Sequence, residues 1–352
     1  MQEEDFSQYV LQDGTLDDSR LIRREVLYHG LNGRAVERIF TDAGTTCIFK
    51  PVTNGDSADE EVWIYAHVLN SFPAIVPKLL AHSSPGAGES GWRIFEDLGQ
   101  LQHGFSLTAA KEVVKQMAWW HNQPVQAWSG SKTRGQKPPI HEMASSLIER
   151  DTELERMLRN LISTSATHDG IELSMLLESS TRRQLIRSFA DAEGNDSAAL
   201  RLQVLSHGDL HLGNYATTKS AQLYILDWEH AHLNSPFWDL VHLIDLSHPM
   251  FPKMLHRSER EQLLREYVRY SSFHGRTWDY EQFIIGYCRY AAVFSLWLLL
   301  LITADLEQDN PIWPREKLLL QQEEAVANLC GCLARLFMTR SESSTDKNRF
   351  RA

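Results

Sequence analysis

Cysteine is scarce in this chain, with four in 352 residues. Cys47, Cys288, Cys330 and Cys332 make no C-x-x-C pair, so they read as reduced core thiols and not as a zinc site or a disulfide framework. The opening MQEEDFSQYV carries acids where a secretory signal would carry basic residues, so no targeting segment is expected. The most apolar run, residues 291–303, is too short for an ordinary membrane span and reads as a buried helix. There is no G-x-S-x-G elbow for a serine nucleophile and no internal repeat. A basic face is equally absent. The formal net charge is -11, with 16 acids against 8 Lys/Arg in residues 1–100 and 30 against 27 thereafter. That balance argues against nucleic acid as a partner. A cytoplasmic protein with no membrane partner is expected.

What is present is an ordinary globular composition, 43% hydrophobic and 23% charged, enough for one large domain or two moderate ones. Two polar stretches carry the chemistry: HGDLHLGN at 207–214 and LDWE at 226–229. Phosphoryl transfer needs a carboxylate to orient the attacking hydroxyl and oxygen ligands for magnesium. Asp209 suits the first task, and Asn214 with Asp227 the second. The D-x-x-x-x-N spacing is that of a protein-kinase catalytic loop.

With Gly208 in place of the kinase arginine and Trp228-Glu229 after the second aspartate, the pair resembles the aminoglycoside phosphotransferase and choline kinase family. The resemblance implies an α+β, two-lobed protein-kinase-like fold. A small antiparallel-sheet lobe with one main helix would span 1–98, its first 20 residues a loose arm. A large helical lobe would span 99–340, and a disordered tail 341–352. It also implies ATP or GTP and Mg2+ as cofactors, and a small-molecule hydroxyl acceptor: an amino sugar, amino alcohol, sugar or related metabolite. The expected assembly is a monomer or homodimer.

The rest of the chain can be set against that expectation. Segments 25–28, 35–40 and 45–50 read as three strands of a meander. Gly30, Asn32 and Gly33 in the first turn either cradle phosphate with backbone amides or simply close a hairpin. Lys50, ending the third strand, stands where a kinase lysine holds nucleotide phosphates. Ser57 and Glu60 fit a capping box, and Glu61 then shares a helix face with Ile64, Tyr65 and Val68. That places Glu61 to hold Lys50. A strand at 92–96 running into Glu96-Asp97-Leu98-Gly99 resembles the family's hinge, where Glu96 and Leu98 would meet the adenine ring.

Helices dominate from Ser106 on, beginning with Leu107, Ala110, Val113, Val114, Met117, Ala118 and His121 at helical spacing. His121 reads as a packed or capping side chain. The stretch MASSLIERDTELERMLRNLI is the strongest helical segment of 141–205. A hairpin through Thr218–Ala221 would return Asp227 beside Asn214, and Asp239 of the PFWDL segment would brace the catalytic loop. Asp279, Glu281, Asp305, Glu307 and Asp309 could receive a cationic acceptor near Trp297 or Trp313, or could be helix surface.

Two rival functions stay open at this level. His207, Asp209, His211, Asp227, His230 and His232 are all metal-ligand types, which a zinc or two-metal hydrolase would use. A non-catalytic kinase-like binding protein would more naturally have lost Asp209, Asp227 or Lys50. Nucleotidyl instead of phosphoryl transfer is a further variant.

Overall fold

The computed structural model describes residues 5–30, 33–52, 58–83, 91–125, 135, 137–164, 170–190, 198–246, 248–253, 255–308 and 312–349, with backbone alone over 338–349. The chain divides into two compact units. As far as described residues go, the first holds the chain to Gly104 and Asn214–Ala231. The second holds Phe105–Val125, residues 135–213 and everything from His232. Residues 214–231 thus group with the sheet, although the sequence suggests one helical lobe from residue 99.

The first unit is built on a five-stranded antiparallel sheet of β1 (Leu21–His29), β2 (Ala35–Thr41), β3 (Thr46–Pro51), β4 (Leu79–His82) and β5 (Trp92–Glu96), in the order β1-β2-β3-β5-β4. Strand alternation sends Ile39, Cys47, Phe49, Trp92 and Ile94 to one buried cluster. Residues 5–20, expected as a loose arm, instead supply Tyr9 and Leu16 to that cluster. Local chemistry shapes the segment: Asp5, Asp13 and Asp17 each accept the N–H and hydroxyl of the Ser or Thr two residues on, at 2.6–3.0 Å.

Among the described residues one α-helix, α1 (Ala58–His67), belongs to this unit. Its expected cap, Ser57, lies outside the described residues. Ile64 and Val68 are buried, as their spacing predicts.

In the second unit α2 (Leu107–Trp120) is capped by Ser106 and buries the expected Ala110, Val113, Val114, Met117 and Ala118. The long stretch expected next is two helices, α3 (Ile140–Glu149) and α4 (Asp151–Thr164), broken at Arg150. Asp151 there takes bonds from Arg182 (2.6 Å) and Arg183 (2.9 Å), which fixes it at a helix start. Short helices α5 (Gly170–Met175), α6 (Ser179–Ala190) and α7 (Ala198–Arg201) lead to β6 (Val204–Ser206). After the loop come β7 (Tyr215–Thr217) and β8 (Leu223–Ile225) of the first unit, then β9 (His232–Asn234), which pairs with β6.

The remainder is helical: α8 (Phe237–Ile244), α9 (Arg257–Phe273), α10 (Tyr280–Glu307) and α11 (Arg315–Arg349). The apolar run is the middle of the 28-residue α10, long and apolar enough to cross a membrane. Yet 78% of its most apolar window is buried inside the protein, against α11, α3 and α4. It is the core helix of its unit. The final helix continues past Arg340, where the sequence places a tail, and ends at Arg349.

Candidate active site

In the sheet-bearing unit the register places the first cluster of candidate residues. Lys50 on β3 pairs across the ladder with Arg93 on β5, so both side chains leave the same face. Two cations side by side would repel, and α1 supplies the answer. Glu61, only 4% exposed at its side chain, faces Lys50 Nζ with Oε1 at 3.5 Å and Arg93 Nε with Oε2 at 3.6 Å. Arg93 is fully buried and also donates to the carbonyls of Ser83 and Trp92, both at 2.9 Å. Burial pushes the Glu61 carboxyl up, against the pull of Lys50.

Lys50 has nearer partners than Glu61. Its ammonium donates to Asp227 Oδ1 at 2.6 Å and to Glu229 Oε2 at 3.4 Å. Burial works against its charge, but Asp227, Glu61 and Glu229 together raise its pKa well above the ordinary value. Burial likewise pushes Glu229 up, and there the His230 hydrogen bond and Lys50 outweigh it, leaving the carboxyl at about 2.

Asp227 arrives by the expected hairpin. Tyr215 pairs with Ile225, and Leu226 N donates to Asn214 O at 2.8 Å, so Asn214 stands one rung from Asp227. The hairpin is held on its outer edges by Gln102, which exchanges two backbone bonds with Thr217, and by Ile225 N to Ile75 O at 2.7 Å. Asp227 itself sits at φ 61°, ψ 63°, a left-handed conformation that costs a non-glycine residue on the order of 1 kcal/mol. That twist turns its side chain toward Lys50.

Glu61, Asp227 and Glu229 offer oxygens all within 4.8 Å of one another, the one such acidic or histidine-bearing group among the described residues. It contains no histidine, whereas the hydrolase alternative needs several. Hard carboxylate oxygens around a partly exposed Asp227 suit magnesium, which keeps waters and phosphate oxygens in its shell.

The turn glycines behave otherwise. Gly30 N donates to Arg34 O (2.8 Å) and Gly33 N to Gly30 O (2.9 Å), so these amides close the hairpin and are not turned outward to phosphate. Asn32 lies outside the described residues. At the segment after β5, Glu96 Oε1 accepts from Lys78 N at 2.8 Å, Asp97 binds Arg38 at 2.8 Å, and Leu98 is partly buried.

The helical unit carries its own cluster of candidate residues. Asp209 lies in a loop clamped by α8: Asp239 accepts from Ser206 Oγ (2.6 Å), His207 N (2.9 Å) and Gly208 N (3.3 Å), and Trp238 Nε1 donates to Gly208 O at 2.8 Å. Gly208, at φ +89°, adopts a conformation open to glycine. His121 is fully buried and bonds Asp239 Oδ2 (3.1 Å) and Tyr267 (2.9 Å), the packing role its sequence position suggests. His207 Nδ1 accepts from Asp209 N at 3.3 Å.

Asp209 is 8% exposed, with Lys137 Nζ at 2.8 Å from Oδ1 and His211 Nε2 at 3.4 Å from Oδ2. His211 Nδ1 accepts from Gly213 N at 2.9 Å, which leaves its proton on the side facing the carboxylate. Burial alone would raise the Asp209 pKa, but Lys137 and His211 hold it well below the ordinary range. Sequence spacing singles out Asp209, Lys50, Glu61, Asn214 and Asp227, of which the structure brings Lys50, Glu61 and Asp227 together. It misses Arg93, Glu229 and Lys137. The β3–β5 register could have pointed to Arg93, and LDWE already displayed Glu229, but nothing local marks Lys137.

A family model described as "Phosphotransferase enzyme family" matches residues 29–282. No curated protein matches the chain. Among solved structures, an aminoglycoside phosphotransferase from Alicyclobacillus acidocaldarius shares 14% identity, with 98% of each chain covered and a TM-score of 0.58. A spectinomycin phosphotransferase, solved with ADP and spectinomycin, shares 14% identity over 90% of this chain and 94% of its own, TM-score 0.53. A choline/ethanolamine kinase family protein from Mesorhizobium loti shares 17% over 90% and 92%, TM-score 0.51. These likenesses establish the kinase-like fold, a small antiparallel-sheet lobe and a large helical one.

Proposed function

Because this chain belongs to the phosphotransferase enzyme family, we propose that it moves the terminal phosphoryl group of ATP to a hydroxyl of a small molecule. The observation that carries this reading is Lys50 held by Glu61, Asp227 and Glu229 on the sheet side of the chain. Such a cation, fixed among carboxylates, can pass from them to phosphate oxygens. The ADP held by the spectinomycin phosphotransferase supports adenine over guanine nucleotide. The backbone at Glu96 and Leu98 is assigned to the adenine ring.

Asn214 and Asp227 would hold magnesium, which when bound neutralises charge on the phosphate oxygens. Everything else falls to the chain's own groups. Lys50 fixes the phosphates, and Glu61 keeps Lys50 in place. Asp209 accepts a hydrogen bond from the acceptor hydroxyl and aligns its oxygen with the terminal phosphorus. As the new P–O bond forms and the bond to the ADP oxygen breaks, the hydroxyl proton passes to Asp209. A carboxylate held at so low a pKa is a weak base, so orientation is its larger contribution and proton transfer comes late.

The test is ADP formation by the purified protein with ATP and magnesium across hydroxyl-bearing acceptors. Acceptor-dependent ADP release, abolished by chelation and restored by magnesium or manganese, is expected. Zinc-dependent hydrolysis without ATP consumption would replace this function with a metallohydrolase.

A further inference from the structure

The surroundings of Asp209 are unlike those expected for a cationic acceptor. Its charge is met at 2.8 Å by Lys137. Beside it His211 stacks on His248 with ring centroids 4.3 Å apart and an interplanar angle of 18°, and Phe251 and Trp313 extend the aromatic group at 5.7 Å from His211 and 5.4 Å from His248. Gly213 is what lets these rings close on the loop, since a Cβ there would lie 2.6 Å from the Phe251 ring and 2.7 Å from His211. Burial holds His248 at about 4, with His211 adding to the effect, so that ring is neutral near pH 7.

Three of the acids offered by sequence for an ammonium group have partners of their own. Asp279 caps α10 through Gln282 N (2.8 Å), Glu281 pairs with Arg335, and Glu307 lies 3.6 Å from Arg156. Asp309 lies outside the described residues. An ammonium arriving beside Asp209 would feel Lys137 about as strongly as the carboxylate, because Coulomb terms of opposite sign at similar range cancel. It would still have to shed water. A neutral ring has no such cost, and its C–H face suits aromatic side chains while one hydroxyl reaches the carboxylate.

We infer that the acceptor at Asp209 is a neutral hydroxylated ring, a sugar or cyclitol, and that Lys137 sets this choice by cancelling the charge that would attract an amine. The inference rests on the phosphotransfer function proposed above. Its test measures kcat/KM for ATP consumption with myo-inositol and neutral hexoses against choline and kanamycin, in the parent protein and in Lys137→Met and Lys137→Arg. ADP-induced thermal shift is recorded for each protein.

The parent should favour a neutral ring by about tenfold or more, the scale of one charged contact. Lys137→Met should shift that ratio toward the amines by a similar factor, and Lys137→Arg should keep it. Preference for amines, or a ratio unmoved in Lys137→Met, would overturn the inference and leave the kinase function standing. So would an intact ADP shift with none of these acceptors consumed. Loss of both the ADP shift and all turnover in the parent protein would overturn the proposed function itself.

Discussion

Lys50 and Arg93 stand opposite each other on neighbouring strands, and the single carboxylate of Glu61 faces both. Removing that carboxylate leaves two adjacent cations, one of them fully buried. Glu61→Ala is therefore expected to lower stability by about 3 kcal/mol, the scale of breaking a buried pair. Urea unfolding measures this. A change below about 0.5 kcal/mol, the level of a neutral surface substitution, would show that Glu61 does not hold the pair together.

Asp209→Ala should cut turnover on the order of 10²- to 10⁴-fold, as expected for a lost acid/base and orienting group. Nucleotide affinity should stay near that of the parent protein, because no nucleotide contact is assigned to Asp209. Steady-state kinetics with an ADP titration separates the two quantities. Turnover within a few-fold of the parent would remove Asp209 from the mechanism.

The acid side of the stability curve should report Asp239. Burial alone would raise its pKa, yet His121, His207 and Ser206 hold it below the ordinary 3.8. The folded value is depressed, so its stabilising contribution is fully present above the unfolded value and lost as pH falls below it toward the folded one. Asp239→Asn should melt lower than the parent at pH 7, and the gap should narrow below pH ~4. Melting curves from pH 7 to pH 3 that stay parallel would contradict this assignment.

Gly213→Ala probes packing instead of charge. The added methyl must displace the Phe251 or His211 ring, which overpacking data put at about 1–3 kcal/mol. Thermal melting should fall accordingly, with impaired turnover as His211 loses its alignment to Asp209. Unchanged melting and turnover would mean that the rings move aside freely.

How much of this was legible in the sequence depended on whether the signal was local. Asp209, Asn214 and Asp227 lie in two short motifs, and Glu61 shares a helical face with Ile64 and Val68, so spacing alone singles them out. Lys137 could not be found that way. It comes from a segment 72 residues before Asp209 and meets it only through the packing of the helical unit. Tyr9 and Leu16 escaped for a related reason: two isolated apolar residues among polar turns carry no periodicity, yet the apolar face of the sheet gave them a place. The expected single helix through Arg150 failed because periodicity does not register a carboxylate claimed by arginines from another helix.

The hairpin that carries Asp227 is stitched to Ile75 and Gln102, residues more than a hundred positions earlier in the chain. Neither unit is therefore encoded by one uninterrupted stretch. A gene fragment ending at Gly104 would keep Lys50, Glu61 and Arg93 but deprive the lysine of its nearest carboxylate. It would also leave Gln102 and Ile75 without the strands they bind. Exchange of the nucleotide half between relatives would have to carry two separate cassettes, and a crossover placed between them would separate the lysine from its aspartate.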